Sequence, residues 1–135
     1  MTFMEVIRGK FPPNYFEILK YIPQARRHGV IFAYGDKIYS PNPKSIITKH
    51  LYAHECVHGR RQIEIGVEEW WHRYLTDLDF RYNEELLAHR AEFKSMKENG
   101  WHWKMASSVT AHRLASSLYG CRGGVEIAKK HIMEQ

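Results

Sequence analysis

The sequence predicts an α+β fold that is mostly helical. Several long segments carry apolar residues at helical spacing between capping residues and glycines, which is typical of amphipathic helices. One pair of short, β-prone segments flanks a two-residue turn and predicts a β-hairpin. With 135 residues and no internal repeat, low-complexity tract or linker, the chain fits a single domain that spans residues 1–135.

The N-terminal part predicts a short helix followed by the hairpin. Residues Asn14 to Ile22 suit a short amphipathic helix that Pro23 ends. Further along, Val30–Tyr34 and Lys37–Tyr39 flank Gly35-Asp36, a dipeptide that is typical of two-residue hairpin turns. We therefore expect one hairpin in this part of the chain.

A longer helix is predicted to begin at Asn42-Pro43 and to end at Gly66. The first pair has the form of a capping residue and a first-turn proline, and the glycine supplies a stop. Apolar residues recur between them at broadly helical spacing: Ile46, Ile47, Leu51, Val57, Ile63 and Ile65. Gly59 lies inside this helix, where glycine costs about 1 kcal/mol against alanine. It indicates either the close approach of another backbone or a weakness that is tolerated near the helix end.

The rest of the chain predicts further helices. A connecting helix over Glu68–Leu75 carries bulky aromatic residues that we expect to pack in the core. A second long helix begins at Asn83, has two acids in its first turn and ends at Gly100. The C-terminal third predicts helices over Trp103–Leu118 and Val125–Met133.

The segment from His54 to His58 contains the residues that a hydrolytic zinc site needs. Residues four apart lie on one helix face, so His54 and His58 can direct one nitrogen each at the same metal ion. Glu55 is adjacent to the first histidine and is placed to take a proton from a metal-activated water. Cys56 lies between the two faces of the helix, and we interpret it as a small packed residue and not as a ligand.

A catalytic zinc site needs a third protein ligand and an open position for water. The helix that begins at Asn83 offers two neighbouring candidates, Glu84 and Glu85, in the same turn. Glu85, Ala88 and Glu92 lie along one face, and the small Ala88 lets two helices approach closely. On residue type and spacing alone, both Glu84 and Glu85 remain candidates.

With this pair of helices the chain resembles the gluzincin group of metallopeptidases, in which the motif helix and a later helix bearing a glutamate jointly hold zinc. More narrowly, it is similar to the small single-domain zincins common in phage and bacterial genomes. In these a short hairpin precedes the motif helix, and a glutamate followed three positions later by alanine supplies the third ligand. The resemblance covers roughly Ile31 to Met96. It implies a minimal zincin-like fold in which His54, His58 and Glu85 bind Zn²⁺ and Glu55 is the general base.

The chain departs from the better-known gluzincin pattern at one position. The residue four after the ligand glutamate is often an aspartate that orients a metal-binding histidine, and here it is His89. Glu92 or Asp79 could take over that orienting role. Several residues are candidates to stabilise the oxyanion that forms when water attacks a carbonyl: Tyr82, His89, His112 and Tyr119.

The motif and the resemblance together predict a zinc-dependent peptidase that acts on a peptide or protein substrate. Two alternatives stay open: a zincin-like metal-binding or regulatory module without catalysis, and a basic protein associated with nucleic acid. The net charge of +5 and the pI near 9.2 are compatible with the second alternative, but a solvated surface that happens to be basic is the preferred interpretation. The basic residues, however, come as separate pairs without a nucleic-acid-binding motif: Arg26-Arg27, Arg60-Arg61 and Lys129-Lys130.

Composition predicts a protein of the cytoplasm, or of the host cytoplasm if a phage encodes it. Two cysteines, and the lack of a basic and apolar leader at Met1–Glu5, favour a reducing compartment without a disulfide framework. No stretch approaches membrane-spanning length, so we expect no membrane partner.

Overall fold

The computed structural model describes residues 4–116 and 123–134 of the chain. Within these residues, six α-helices and a three-stranded sheet confirm the predicted α+β, mostly helical fold. No helix in these ranges combines the length and the apolar composition of a membrane-spanning segment. The strands are β1 (Glu5–Arg8), β2 (Phe32–Tyr34) and β3 (Lys37–Ser40). The helices are α1 (Tyr15–Tyr21), α2 (Lys49–Ile65), α3 (Val67–Thr76), α4 (Leu78–Glu98), α5 (Trp103–Leu114) and α6 (Gly124–Met133), with a 3₁₀ turn at Pro23–Arg26.

The predicted hairpin is present and belongs to a larger sheet. β2 and β3 pair antiparallel with Ala33 opposite Ile38, and Gly35 adopts the positive φ of 63° that the tight turn requires. No sequence signal predicted β1, which pairs parallel to β3 with Val6 opposite Ile38. The strand order is β1-β3-β2, so β2 forms an edge of the sheet, and it also packs against α2.

α2 begins later than predicted, after Thr48 and not at Pro43. The Thr48 hydroxyl accepts a hydrogen bond from the backbone N–H of Leu51 at 3.2 Å, which caps the helix. Asn42 instead forms a tight turn, in which its side-chain oxygen accepts from the N–H of Lys44 at 3.1 Å. The polar residue before the proline therefore marks a turn and not the start of the helix.

α4 begins earlier than predicted, after Asp77 and not at Asn83. The Asp77 carboxylate accepts hydrogen bonds from two backbone N–H groups of the first turn, so this residue is the cap and Asn83 lies inside the helix. α5 ends at Leu114 instead of Leu118, and the last residues of that prediction lie outside the described ranges. The predicted limits of α1, α3 and α6 are correct to within about one residue.

In the described part of the chain, three apolar clusters form the core: a small one of Met4, Ala33 and Ile38, and two larger ones, one in each half of the chain. The first of the larger clusters joins α1, the hairpin and α3, and includes the fully buried Ile18 and Trp70. The second joins α4, α5 and α6, and includes Met96 and Leu114. Among the described elements, α2 and α4 make the most extensive contact. Ala88 of α4 has no exposed surface. The two helices predicted to bear the metal ligands are therefore neighbours.

The hairpin lies directly on α2 because Gly59 has no side chain. A Cβ atom at this position would lie 2.6 Å from the carbonyl oxygen of Gly35 and 2.7 Å from the methyl carbon of Met4. Gln62 binds the same hairpin: its side-chain N–H donates to the Ala33 carbonyl at 3.0 Å, and its oxygen accepts from the Gly35 N–H at 2.7 Å. Of the two interpretations of the mid-helix glycine, the close approach of another backbone is confirmed.

Candidate metal centre

Three polar residues of α2 face the interior of the molecule. His54, Glu55 and His58 expose 2%, 7% and 5% of their surface. The two histidines lie one turn apart, and their ring centroids are 4.9 Å apart in an edge-to-face arrangement. Buried polar side chains require hydrogen-bond or ionic partners, so the residues that contact these three from other helices define the site.

Glu85 of α4 contacts both histidines. Its Oε1 lies 3.2 Å from Nε2 of His54, and its Oε2 lies 2.7 Å from Nε2 of His58. Tyr74 of α3 donates a hydrogen bond from its hydroxyl to Oε2 of Glu85 at 2.7 Å. The structure thus brings together the three side chains predicted as ligands, and one possible ligand atom from each lies within 4.8 Å of the others.

Glu84, the other candidate for the third ligand, contacts a different set of partners. Its Oε1 accepts from Nε1 of Trp70 at 2.8 Å and from Nε of Arg61 at 3.1 Å. Its Oε2 accepts from Nη2 of Arg61 at 2.9 Å. Both oxygens of Glu84 therefore have partners other than the histidines. Glu85 is the glutamate that joins His54 and His58, and these three residues form a His/Glu cluster.

The donor types and one of the two His–Glu85 separations are compatible with a zinc ion. Zinc binds imidazole nitrogen at about 2.0–2.1 Å and carboxylate oxygen at about 2.0–2.2 Å in a tetrahedron, so two donors on one ion lie about 3.4 Å apart. The His54–Glu85 separation of 3.2 Å is close to this distance. The His58–Glu85 separation is 2.7 Å, so Nε2 of His58 and the Glu85 oxygen have to move slightly apart to bind one ion. Two imidazoles and one carboxylate are also the protein ligands of one group of catalytic zinc sites.

The side chains of the cluster are strongly coupled through their charges. Burial alone would lower the pKa of His54, but the carboxylates of Glu85 and Glu92 raise it to about 10. Burial alone would likewise raise the pKa of Glu85, but His58 and His54 hold it well below its ordinary value. A metal ion that binds to His54 and Glu85 must therefore displace a proton from His54.

Glu92 of α4 contacts the other ring nitrogen of His54. Nδ1 of His54 lies 2.9 Å from Oε1 of Glu92, while Nε2 faces Glu85. A carboxylate in this position fixes the tautomer and the ring orientation of a metal-binding histidine. Asp79, the other candidate for this role, is exposed at the start of α4, so that interpretation is wrong.

His89 is fully buried against His54 and does not line the cavity next to His54, His58 and Glu85. The two ring centroids are 4.6 Å apart, and Nδ1 of His89 donates to the backbone carbonyl of Glu85 at 2.7 Å. Burial, followed by the positive charge of His54, lowers the pKa of His89 to about 3, so this ring is neutral. His54, His89 and Glu92 also lie close enough to hold an ion. However, neither His89 nor Glu92 borders the cavity next to the first group.

That cavity has a volume of about 90 Å³ and adjoins the cluster. Its polar wall is formed by Gln24, His54, Glu55, His58, Gln62 and Glu85. The rest of the wall is mainly apolar and comes from α1, the 3₁₀ turn, the hairpin and α3: Ile18, Ile22, Ala25, Val30, Ile31, Phe32, Ala33, Trp70, Trp71 and Tyr74. One water needs only about 10–15 Å³ of such space, so several fit beside the carboxylate of Glu55.

The carboxylate of Glu55 lies beside the His/Glu cluster. Its Oε2 lies 3.7 Å from Nε2 of His54, the nitrogen that also faces Glu85. Burial raises the pKa of Glu55 above its ordinary value. A carboxylate with a raised pKa, next to a possible metal position, has the properties of a general base.

None of the predicted oxyanion stabilisers in the described part of the chain borders the cavity. Tyr82 contacts a histidine of α6 at 2.8 Å, and His112 is exposed and bonds within its own helix. Tyr119 lies outside the described residues. Sequence reasoning instead missed Tyr74, which borders the cavity and contacts Glu85. Its helical spacing signalled only packing in the core.

Comparisons of the chain with protein-family models, with curated proteins and with solved structures find no match. The chemistry of the site is therefore assigned from its own geometry. Two imidazoles and a carboxylate are buried together, with a second carboxylate and a cavity beside them. These are the parts that metal-assisted hydrolysis requires.

Proposed function

We propose that the protein is a zinc-dependent peptidase that hydrolyses peptide bonds in a peptide or protein substrate. The observation that carries the proposal is the meeting of His54, His58 and Glu85 at a cavity that Glu55 also borders. A structural zinc site is closed by four protein ligands and needs no base, whereas this group offers three ligands, a neighbouring carboxylate and space for water. As the compartment we propose the cytoplasm, because Cys56 is a free thiol.

In this mechanism His54, His58 and Glu85 hold the metal. Zinc, when bound, supplies a Lewis acid that polarises the scissile carbonyl and lowers the pKa of water from about 16 toward 7. Glu55 takes the proton from the attacking water and later delivers it to the leaving amine. Because burial raises the pKa of Glu55, this carboxyl is nearer to the pH at which it must both accept and release a proton.

The cavity wall favours a substrate with a bulky apolar side chain next to the scissile bond. Ile18, Phe32 and Trp71 belong to this wall, and all three are almost fully buried. β2, which supplies part of the wall, is also an edge strand. Edge strands bind extended peptides by adding them to the sheet. At β2 this edge is already partly occupied, because the Ala33 carbonyl and the Gly35 N–H bond to Gln62 of α2. A substrate segment therefore pairs only with the backbone groups of β2 that Gln62 leaves, with one side chain in the cavity.

The proposal is tested with Glu55→Gln. We expect this variant to bind about one zinc ion per chain, like the wild type, and to cleave a fluorogenic peptide library at least about 10²-fold more slowly, the usual contribution of a general base. Glu64→Gln is the matched control, because Glu64 lies on the same helix with an exposed side chain. If Glu55→Gln cleaved as fast as the wild type, the role of Glu55 would be wrong.

Metal content distinguishes the peptidase from its alternatives. Elemental analysis should find zinc in the wild type and little or none in His58→Ala, which lacks one of the predicted ligands. A protein that binds zinc but cleaves no peptide in the library would be a metal-binding module without catalysis. A wild type that binds no zinc would contradict both functions.

A further inference from the structure

One arginine from outside the α2–α4 pair reaches the site. Nη1 of Arg113, in the last turn of α5, donates a hydrogen bond to Oε2 of Glu92. The other oxygen of Glu92 lies 2.9 Å from Nδ1 of His54, whose Nε2 faces Glu85. Arg113, Glu92 and His54 therefore form a continuous series of contacts that ends at the metal cluster.

Glu92 depends on these partners because it is completely buried. Its side chain has no exposed surface, whereas 38% of the Arg113 side chain is exposed. A carboxylate removed from water is costly unless it is hydrogen-bonded and paired with a cation. The ionisable groups around Glu92 are His54, Arg113 and His89, and of these only arginine carries a permanent charge. When His54 is neutral and ligates a metal, Arg113 is the cation that still balances Glu92.

We propose that Arg113 is a positioning residue for the metal centre: it holds the carboxylate of Glu92 against Nδ1 of His54 and so keeps Nε2 directed at the metal. The inference rests on the proposed function. His58 has no comparable support, since its buried Nδ1 has no hydrogen-bond partner within residues 4–116 and 123–134. Of the two predicted histidine ligands, His54 is thus the one whose ring is oriented by a carboxylate, and α5 belongs to the site although the resemblance to the zincins ends near Met96.

The test is a double-mutant cycle on zinc affinity. Arg113→Gln and Glu92→Gln are made singly and together in the full chain, and the zinc dissociation constants are measured by competition with a chromophoric chelator. We expect each single variant to bind zinc about 10- to 100-fold more weakly, the usual effect of losing an outer partner of a metal-binding histidine. Arg113→Gln should cause little further loss when Glu92→Gln is already present, because both act through one contact.

Cobalt in place of zinc gives a second measurement that a general loss of stability does not reproduce. The ligand-field absorption of bound Co²⁺ reports the ligand geometry, and both single variants should shift it in the same direction. Arg73→Gln is the matched control, because Arg73 also pairs with a glutamate, Glu69, but on the exposed surface of α3. Its zinc affinity and cobalt spectrum should equal those of the wild type.

The possible results separate this inference from the proposed function. If Arg113→Gln does not fold in chelator, the same cycle is run with Arg113→Lys, which keeps the charge but loses the planar fork of donors. An unchanged zinc affinity in a folded Arg113 variant, or a loss fully additive with that of Glu92→Gln, overturns the inference. A wild type that binds zinc and shows the coupling but cleaves no peptide supports the inference and contradicts only the peptidase.

Discussion

Two adjacent glutamates of α4 have different partners although both are almost fully buried. Glu85 contacts the two histidines of α2, whereas Glu84 binds Arg61 and Trp70. Successive residues of a helix point about 100° apart, so neighbouring side chains of one type reach different elements. One glutamate joins the two histidines of the His/Glu cluster, and the other joins α4 to α2 and α3.

This difference predicts that the same substitution affects zinc affinity at one position and stability at the other. Glu85→Gln should weaken zinc binding by more than about 100-fold, beyond the effect of losing an outer partner, because it removes a predicted ligand. Glu84→Gln should leave zinc affinity nearly unchanged and lower the free energy of unfolding by about 1–3 kcal/mol, because Arg61 loses its buried charged partner and keeps only the exposed Glu64 at 3.5 Å. Zinc titration and urea unfolding in chelator measure the two quantities. If Glu84→Gln were the variant that lost zinc, the third ligand would be Glu84.

At the scale of single residues, local spacing predicts some members of the site and not others. The histidine pair follows from spacing alone, because residues four apart share a helix face. Glu92 lies about two turns after Glu85, so it shares a face with that residue and was a candidate. The choice of Glu85 depends on how α4 is rotated against α2. Arg113 comes from another helix, and no local pattern connects it to His54.

At the scale of elements, two residues of α2 fix the hairpin in place. Gly59 allows the Gly35 carbonyl to approach the helix, and Gln62 bonds to one donor and one acceptor of the hairpin backbone. Part of the β2 edge is therefore bonded to α2 and not to a further strand. Since β2 forms part of the cavity wall, this contact also sets the distance between the apolar wall and the histidines.

The substitution Gly59→Ala tests this contact. Helix propensity alone favours alanine by about 1 kcal/mol. The added methyl group would lie 2.6 Å from the Gly35 carbonyl oxygen, however, so the hairpin backbone has to move. We expect the clash to dominate and the free energy of unfolding, measured by urea denaturation in chelator, to fall by about 1–3 kcal/mol. A variant more stable than the wild type would show that the hairpin is not held closely on α2.

The existence of the helices could be predicted from the sequence, but the start of α2 could not. Asn42-Pro43 and Thr48 are both good capping signals before the apolar residues that begin at Leu51, and Asn42-Pro43 also precedes Ile46 and Ile47. In the structure, Arg8 of β1 donates to the carbonyls of Pro43 and Ser45, which stabilises this segment outside the helix. β1 itself had no local signal, since a four-residue strand in a parallel pair depends on a distant partner.

At the scale of the whole molecule, the site connects helices from both halves of the chain. The predicted ligands come from α2 and α4, Tyr74 supports Glu85 from α3, and Arg113 supports Glu92 from α5. A metal that binds only this folded arrangement stabilises the fold as a whole. At a free concentration of 100 times the dissociation constant, the gain is about 2.7 kcal/mol.

We expect this stabilisation to depend on pH, because a metal ion at this site would compete with the proton on His54. The folded protein raises the pKa of His54 from 6.5 to about 10. Without metal, the proton stabilises the fold: its contribution is fully present below pH 6.5 and is lost as the pH rises through about 10. Because zinc replaces this proton, its affinity should increase by about tenfold per pH unit within the same window.

We therefore expect zinc to raise the melting temperature more at about pH 8 than at pH 6.5, the ordinary pKa of histidine. In chelator, the stabilising contribution of His54 should fall over the same interval. Calorimetry of the full chain at both pH values, with chelator and with excess zinc, measures this increment, the rise in melting temperature that zinc causes. His58→Ala lacks one predicted ligand and should show no increment at either pH. Equal increments in the wild type would mean that no proton leaves His54 when zinc binds, and the ion would then have to lie elsewhere.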